Sequence, residues 1–181
     1  MKRQWLNWLV ITSLSFITLP SVALEQHASV AKDLPVLEKV GAGRFTYWLW
    51  HLYDAELYST NGQFADYQQS TPLKLSLTYA RDITKKAFID ATVDQWQILQ
   101  PTAKAQHQRW AKELDGLWRD VKEGDQLTAV LQPDGIIYFY FNREWLGQTS
   151  DAAMGPAFFD IWLSEATTAP ELRKKLIAGS S

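Results

Sequence analysis

The sequence predicts an α+β domain built on an antiparallel sheet, and three observations carry that expectation. Alternating apolar and polar residues recur in separate short stretches, as in Leu73, Leu75, Leu77 and Tyr79 against Lys74, Ser76 and Thr78. Two stripes at helical spacing follow one another instead of alternating with strands. Gln132-Pro133-Asp134-Gly135 joins two strand-like runs directly, as a hairpin does. Strands and helices that come in groups favour α+β over a parallel α/β sheet.

In chain order, residues 1–23 read as a secretory signal. Lys2 and Arg3 give a basic start, residues 8–19 are largely apolar, and Ser21-Val22-Ala23 supplies small residues for cleavage after Ala23. The apolar run is short for a membrane span, so the expected location is periplasmic or secreted. Residues 24–34 read as a loose leader and 35–178 as one domain. Residues 35–40 suit a short strand, turned by Gly41-Ala42-Gly43 into one long strand over 44–58. That stretch, RFTYWLWHLYDAELY, has no Gly or Pro and is apolar on both faces through its middle, so cover is expected on both sides. Asn61-Gly62 marks a turn and 63–71 a polar loop.

After the alternating strand, Phe88, Ala91, Thr92, Gln95, Trp96 and Leu99 fall at helical spacing, with Asp82 or Thr84 as the N-cap. Ala103, His107, Trp110, Leu114, Leu117 and Val121 form a second stripe. Residues 127–131 and 136–141 flank the hairpin signal, Asn142-Arg143 makes another turn, and 145–149 forms a further strand. A helix starts near Gly155 or Pro156, where proline is tolerated. Thr168-x-x-Glu171 is a capping-box pattern before a last helix over 169–177.

Composition excludes several functions. The formal charge is −2 and no basic cluster marks a nucleic-acid surface. There is no cysteine, so an exported domain has no disulfide framework and depends on a core rich in the seven tryptophans that follow residue 23. His27, His51 and His107 lack metal-ligand spacing, so no metal site is expected. No phosphate-binding loop, dinucleotide fingerprint or serine-nucleophile motif is present, so no cofactor and no catalytic residue is assigned.

The chain resembles the bacterial chalcone isomerase-like family. Gly43-Arg44-Phe45, Tyr53-Asp54-Ala55-x-Leu57-Tyr58 and Leu77-Thr78-Tyr79-x-Arg81-Asp82-Ile83 carry the likeness in the first half. Gly124-Asp125, Phe141-Asn142, Phe158-Phe159-Asp160-Ile161-Trp162-Leu163 and Pro170-x-Leu172-Arg173-x-x-Leu176 carry it in the second. The resemblance implies an open-faced β-sandwich, a large antiparallel sheet backed by helices, with a cleft between the two layers. In plants this fold serves both chalcone isomerases and fatty-acid-binding proteins. The isomerases' catalytic Arg falls near Pro35 or Val36, their Lys near Ala80, their Tyr near Phe88 and their Asn near Gln95. Their late Ser or Thr falls near Ala169, with Thr168 beside it. Most of that set is absent, and proton transfer needs such groups.

Three functions stay open on the sequence: an exported binding module for an apolar or fatty-acid-like carboxylate, an isomerase or intramolecular lyase with a different catalytic set, and a structural or partner protein. For the first, the candidate ligand-binding residues are Arg81, Arg44, Tyr53 and Tyr79. Arg81 is either half of a local ion pair with Asp82 or a clamp for a carboxylate, which a planar guanidinium suits. Arg44 is either a solvated strand-end charge or a second clamp. Tyr53 and Tyr79 are core or cleft-lining rings whose hydroxyls need a partner.

Overall fold

The computed structural model describes residues 32–179. Six strands run as an antiparallel meander in sequence order: β1 (Glu38–Tyr47), β2 (Trp50–Ser59), β3 (Leu73–Tyr79), β4 (Gln126–Leu131), β5 (Ile137–Phe141) and β6 (Glu144–Gln148). Five helices complete the chain: α1 (Tyr67–Ser70), α2 (Lys85–Leu99), α3 (Lys104–Leu117), α4 (Met154–Leu163) and α5 (Pro170–Leu176). This is the α+β architecture that the sequence predicts, an open antiparallel sheet backed by helices.

The stretch expected as one long strand is instead a hairpin. β1 ends at Tyr47, Trp48 and Leu49 form the turn, and Tyr47 pairs with Trp50. Only the first turn residue has positive φ (Trp48, +56°), the pattern of a type II′ turn, where glycine is the usual occupant. The expected turn at Gly41-Ala42-Gly43 lies within β1. Its glycines are there because α5 presses on the strand. A Cβ on Gly41 would stand 2.2 Å from the Lys175 carbonyl oxygen, and one on Gly43 2.7 Å from Leu172. The expectation of cover on both faces also fails for β2. Its outer face carries a ladder of charge, with Arg44 on Asp54 and Lys39 on Glu56, at positions that keep solvent.

Most other elements follow from local signals. Thr84 caps α2, accepting from Ala87 N at 3.2 Å, while Asp82 accepts from Glu123 N at 3.0 Å and braces the loop before β4. α3 stops at Leu117, and Val121 instead bridges to Ile83. Asn142 and Arg143 both have positive φ and make a two-residue I′ turn between β5 and β6. The polar loop at 63–71 contains the short helix α1, which Asp66 caps.

The core lies between the sheet and the helices. Cross-strand rows run over the inner face: Gly41, Leu57, Leu75, Ala129 and Phe139 in one, Gly43, Ala55, Leu77 and Leu127 in the next. Against them pack the buried side chains of Trp96, Trp110, Leu114, Phe158, Phe159 and Trp162. The small residues sit on β1, where α5 approaches, and the large ones lie toward the middle, so the layers interlock. His107 is buried between Trp96 and Trp110 as a core residue.

Candidate functional site

The inner face continues past these rows to a third, in which Phe45 pairs with Tyr53 and Tyr53 with Tyr79. Here the helices do not close on the sheet. A cavity of about 380 Å³ remains, floored by that row. One wall is the stripe Ala87, Phe88, Ala91, Thr92 and Gln95 of α2; the other is Ile161 and Trp162 of α4, with Thr168 and Ala169 leading into α5. The cavity exists because α2 presents two alanines where a packed helix would present larger side chains. Its size falls within the range of small-molecule sites.

Ring packing fixes the floor. Phe45 stacks on Tyr53 at 5.0 Å, Tyr53 meets Tyr79 edge-on at 5.9 Å, and Tyr79 meets Phe88 edge-on at 5.5 Å. Phe88 in turn stacks on Trp118 at 4.3 Å. The Tyr53 hydroxyl accepts from Trp162 Nε1 at 2.9 Å. Thr168 Oγ1 donates to Gln95 Oε1 at 2.7 Å, tying the α4–α5 loop to α2. Thr168 is therefore not the capping residue that its sequence pattern predicts; α5 starts at Pro170 with no side-chain cap.

The Tyr79 hydroxyl is different. Tyr79 is 2% exposed, and its hydroxyl has no hydrogen-bond partner among the described residues. Buried hydroxyls are seldom left so. Burial pushes the Tyr79 phenol well above its usual range, with the neighbouring Tyr53 adding to the effect. Burial likewise raises the Tyr53 phenol, against a smaller opposing pull from the Trp162 hydrogen bond. Both phenols are neutral at physiological pH. The lining holds no Asp, Glu, His, Lys or Arg among the described residues, so it offers hydrogen bonds and apolar contact and has no group poised to take a proton.

The structure thus brings Tyr53 and Tyr79 together in the cavity floor and places the two arginines outside its lining. The Arg81 guanidinium lies over the Trp50 ring at 4.5 Å, on the hairpin side. Arg44 Nε donates to Asp54 Oδ1 at 3.1 Å on the outer face. Asp82 is not Arg81's partner; it faces Lys122 at 3.5 Å, and the Glu123 amide holds its carboxyl below the usual range. His51 lies 3.2 Å from Asp54. The α2 stripe and Thr168 were not singled out as ligand contacts from sequence. The signal for them was the pairing of Ala87 with Ala91 on a helix face that also carries Phe88, Thr92 and Gln95. Of the positions matched by resemblance to plant catalytic residues, Phe88, Gln95, Thr168 and Ala169 line the cavity, whereas Ala80 and Pro35 or Val36 do not.

A helix-backed antiparallel sheet with an apolar cavity between its layers defines an open-faced sandwich with an interlayer pocket. The chain belongs to the chalcone isomerase-like family, whose model matches residues 18–178. Among solved structures it is similar to a fatty-acid binding protein from Arabidopsis thaliana, at a TM-score of 0.56 and 9% identity, over 77% of this chain and 85% of that one. At that identity the likeness shows the fold. No curated protein matches the chain by sequence.

Proposed function

We propose that this protein is a non-catalytic binding protein for an apolar, fatty-acid-like molecule, held between sheet and helices. The observation that carries the reading is the cavity itself, with its uncharged, aromatic-rich lining and one buried hydroxyl without a partner among the described residues. The ligand's tail lies along Phe45, Leu52, Phe88, Ile161 and Trp162, and its polar head takes the Tyr79 hydroxyl. Tyr79 and Arg81 leave the same strand end two residues apart, so Arg81, swung off Trp50, is the first candidate to meet a carboxylate. Arg44 comes second, because Asp54 already holds it. The fatty-acid binding protein among similar structures supports the reading. We also place the protein outside the cytoplasm, on the signal-like residues 1–23, which lie outside the described residues; N-terminal sequencing of the exported chain should begin at Leu24.

Trp162 lines the pocket, so tryptophan emission reports on occupancy. Titration with a long-chain fatty acid should quench it saturably, and native mass spectrometry of the purified protein should show a co-purified lipid. A titration without saturation, together with a bare polypeptide mass, would overturn the reading. Arg81→Ala should weaken binding more than it lowers stability; the reverse result would make Arg81 a structural residue.

A further inference from the structure

The hairpin between β1 and β2 ends in Tyr47, Trp48, Leu49 and Trp50. Their side chains are left 61%, 84%, 95% and 61% exposed. Only two other large apolar residues among those described, Val36 and Ile98, are exposed to a comparable degree. Four in succession on one turn is a different matter from the scattered apolar residues that any surface carries. The turn also defies its own local preference. Trp48 holds φ at +56°, a conformation disfavoured for a bulky side chain where glycine would be free of strain. Nothing in the core requires that ring. It packs on no other aromatic ring among the described residues, whereas those of Phe45 and Tyr53, just below, are stacked.

We propose that this tip is a wedge that docks the protein on the surface of a phospholipid bilayer. Shape and composition select that occupant. The apolar tip is a convex turn, not a groove, and it ends abruptly. Just below it the outer face of the hairpin carries the exposed ion pair of Arg44 and Asp54. A stable protein interface engages about 20–30 residues a side, and four residues on one turn fall far short. A bilayer needs no complementary surface. Tryptophan and tyrosine settle at the headgroup level with their polar edges wet, and leucine reaches the acyl boundary. Arg81, stacked on Trp50, is placed to meet a lipid phosphate. No helix among the described residues is long and apolar enough to cross a membrane.

The tip adjoins the pocket. Phe45, two residues before Tyr47, and Leu52, two after Trp50, both line the cavity. A docked wedge therefore holds the pocket end of the sheet against the reservoir in which apolar molecules reside. This consequence, loading from the bilayer, rests on the binding function proposed above; the docking does not.

The test is flotation of the full chain with vesicles of phosphatidylcholine, with and without phosphatidylglycerol, carrying no fatty acid. Wild type should float with the vesicles, and its tryptophan emission should be quenched by lipids brominated in the upper acyl chain. Trp48→Ser with Leu49→Ser should cut vesicle binding at least tenfold, leave the thermal midpoint unlowered, and leave fatty-acid quenching in vesicle-free solution unchanged. Wild type that stays in solution with both vesicle types would overturn the proposal. So would a concentration-dependent dimer in sedimentation that the double variant abolishes, because the tip would then serve a second copy. Failure of fatty-acid quenching beside intact flotation would remove the pocket's function and leave the docking standing.

Discussion

Tyr79→Phe separates a ligand-seeking hydroxyl from a structural one, because the two roles predict opposite signs. The substitution deletes one oxygen from a ring that is 2% exposed and keeps the edge contacts to Tyr53 and Phe88. In the ligand-free protein that oxygen is buried without a partner among the described residues, and an unpaired buried hydroxyl costs about 1–3 kcal/mol. Removing it should recover about 1 kcal/mol, which raises Tm by roughly 2–4 °C in a domain of this size. In the proposed complex the hydroxyl donates to the head group, and a neutral hydrogen bond of that kind is worth about 0.5–1.5 kcal/mol. Affinity should therefore fall roughly two- to tenfold. Thermal scans of the delipidated protein, paired with titrations of wild type and variant, read both quantities. A lower Tm for the variant would mean that the hydroxyl serves the fold. An unchanged affinity would mean that the head group lies elsewhere. Either result breaks the placement of the head at Tyr79.

Gly41→Ala should destabilise by about 1–3 kcal/mol in urea melts, because its Cβ meets α5 backbone that cannot swing aside. Gly116→Ala, exposed in α3 with nothing within 4 Å of its Cβ, should instead stabilise by roughly 0.5–1 kcal/mol. Burial holds the His107 imidazole below its ordinary value, so below about pH 6.5 the unfolded chain takes up the proton first and stability falls with pH; His107→Gln should flatten that fall between pH 7 and 5.5 in paired urea melts. Chalcone absorbance should decay at the spontaneous rate with or without protein, since the pocket lining holds no carboxylate, imidazole or amine to move the proton; stereoselective turnover would refute this.

Much of the fold was legible because its signals are local. β3 alternates in sequence, Asn142 and Gly135 take positive-φ positions in their turns as such residues do, and Thr84 caps α2 as a threonine in that position does. The errors lie at β1 and β2, and each has a cause outside the local sequence. The glycines at 41 and 43 look like a turn, yet they sit in a strand because α5, some 130 residues later, needs the space, its backbone at Gly41 and its side chains at Gly43. The turn at Trp48-Leu49 was invisible because it contains none of the residues a tight turn favours. Tyr53 and Tyr79 were legible as inward-facing rings from strand parity. The partners of Arg81 and Arg44 were not, because parity places a side chain on a face and says nothing of what stands beside it.

Several departures from local rules gather around the pocket and the hairpin beside it, and that clustering is an argument for the proposed function. Trp48 occupies a turn position suited to glycine. Thr168 turns from its expected helix cap to bind Gln95 across the pocket wall. Tyr79 buries a hydroxyl that no described residue meets, and the α2 stripe presents alanines where larger side chains would fill the gap. A chain selected for stability alone would mend each of these cheaply, with glycine in the turn, phenylalanine at 79 and leucine at 91. Departures from local consistency are expected where a site has been built, and here they surround one apolar cavity and the hairpin beside it. At the other end of the sheet, under α5, glycines, leucines and aromatic rings fill their rows without a comparable gap. The contrast within one sheet supports the binding role proposed for the Phe45–Tyr53–Tyr79 end.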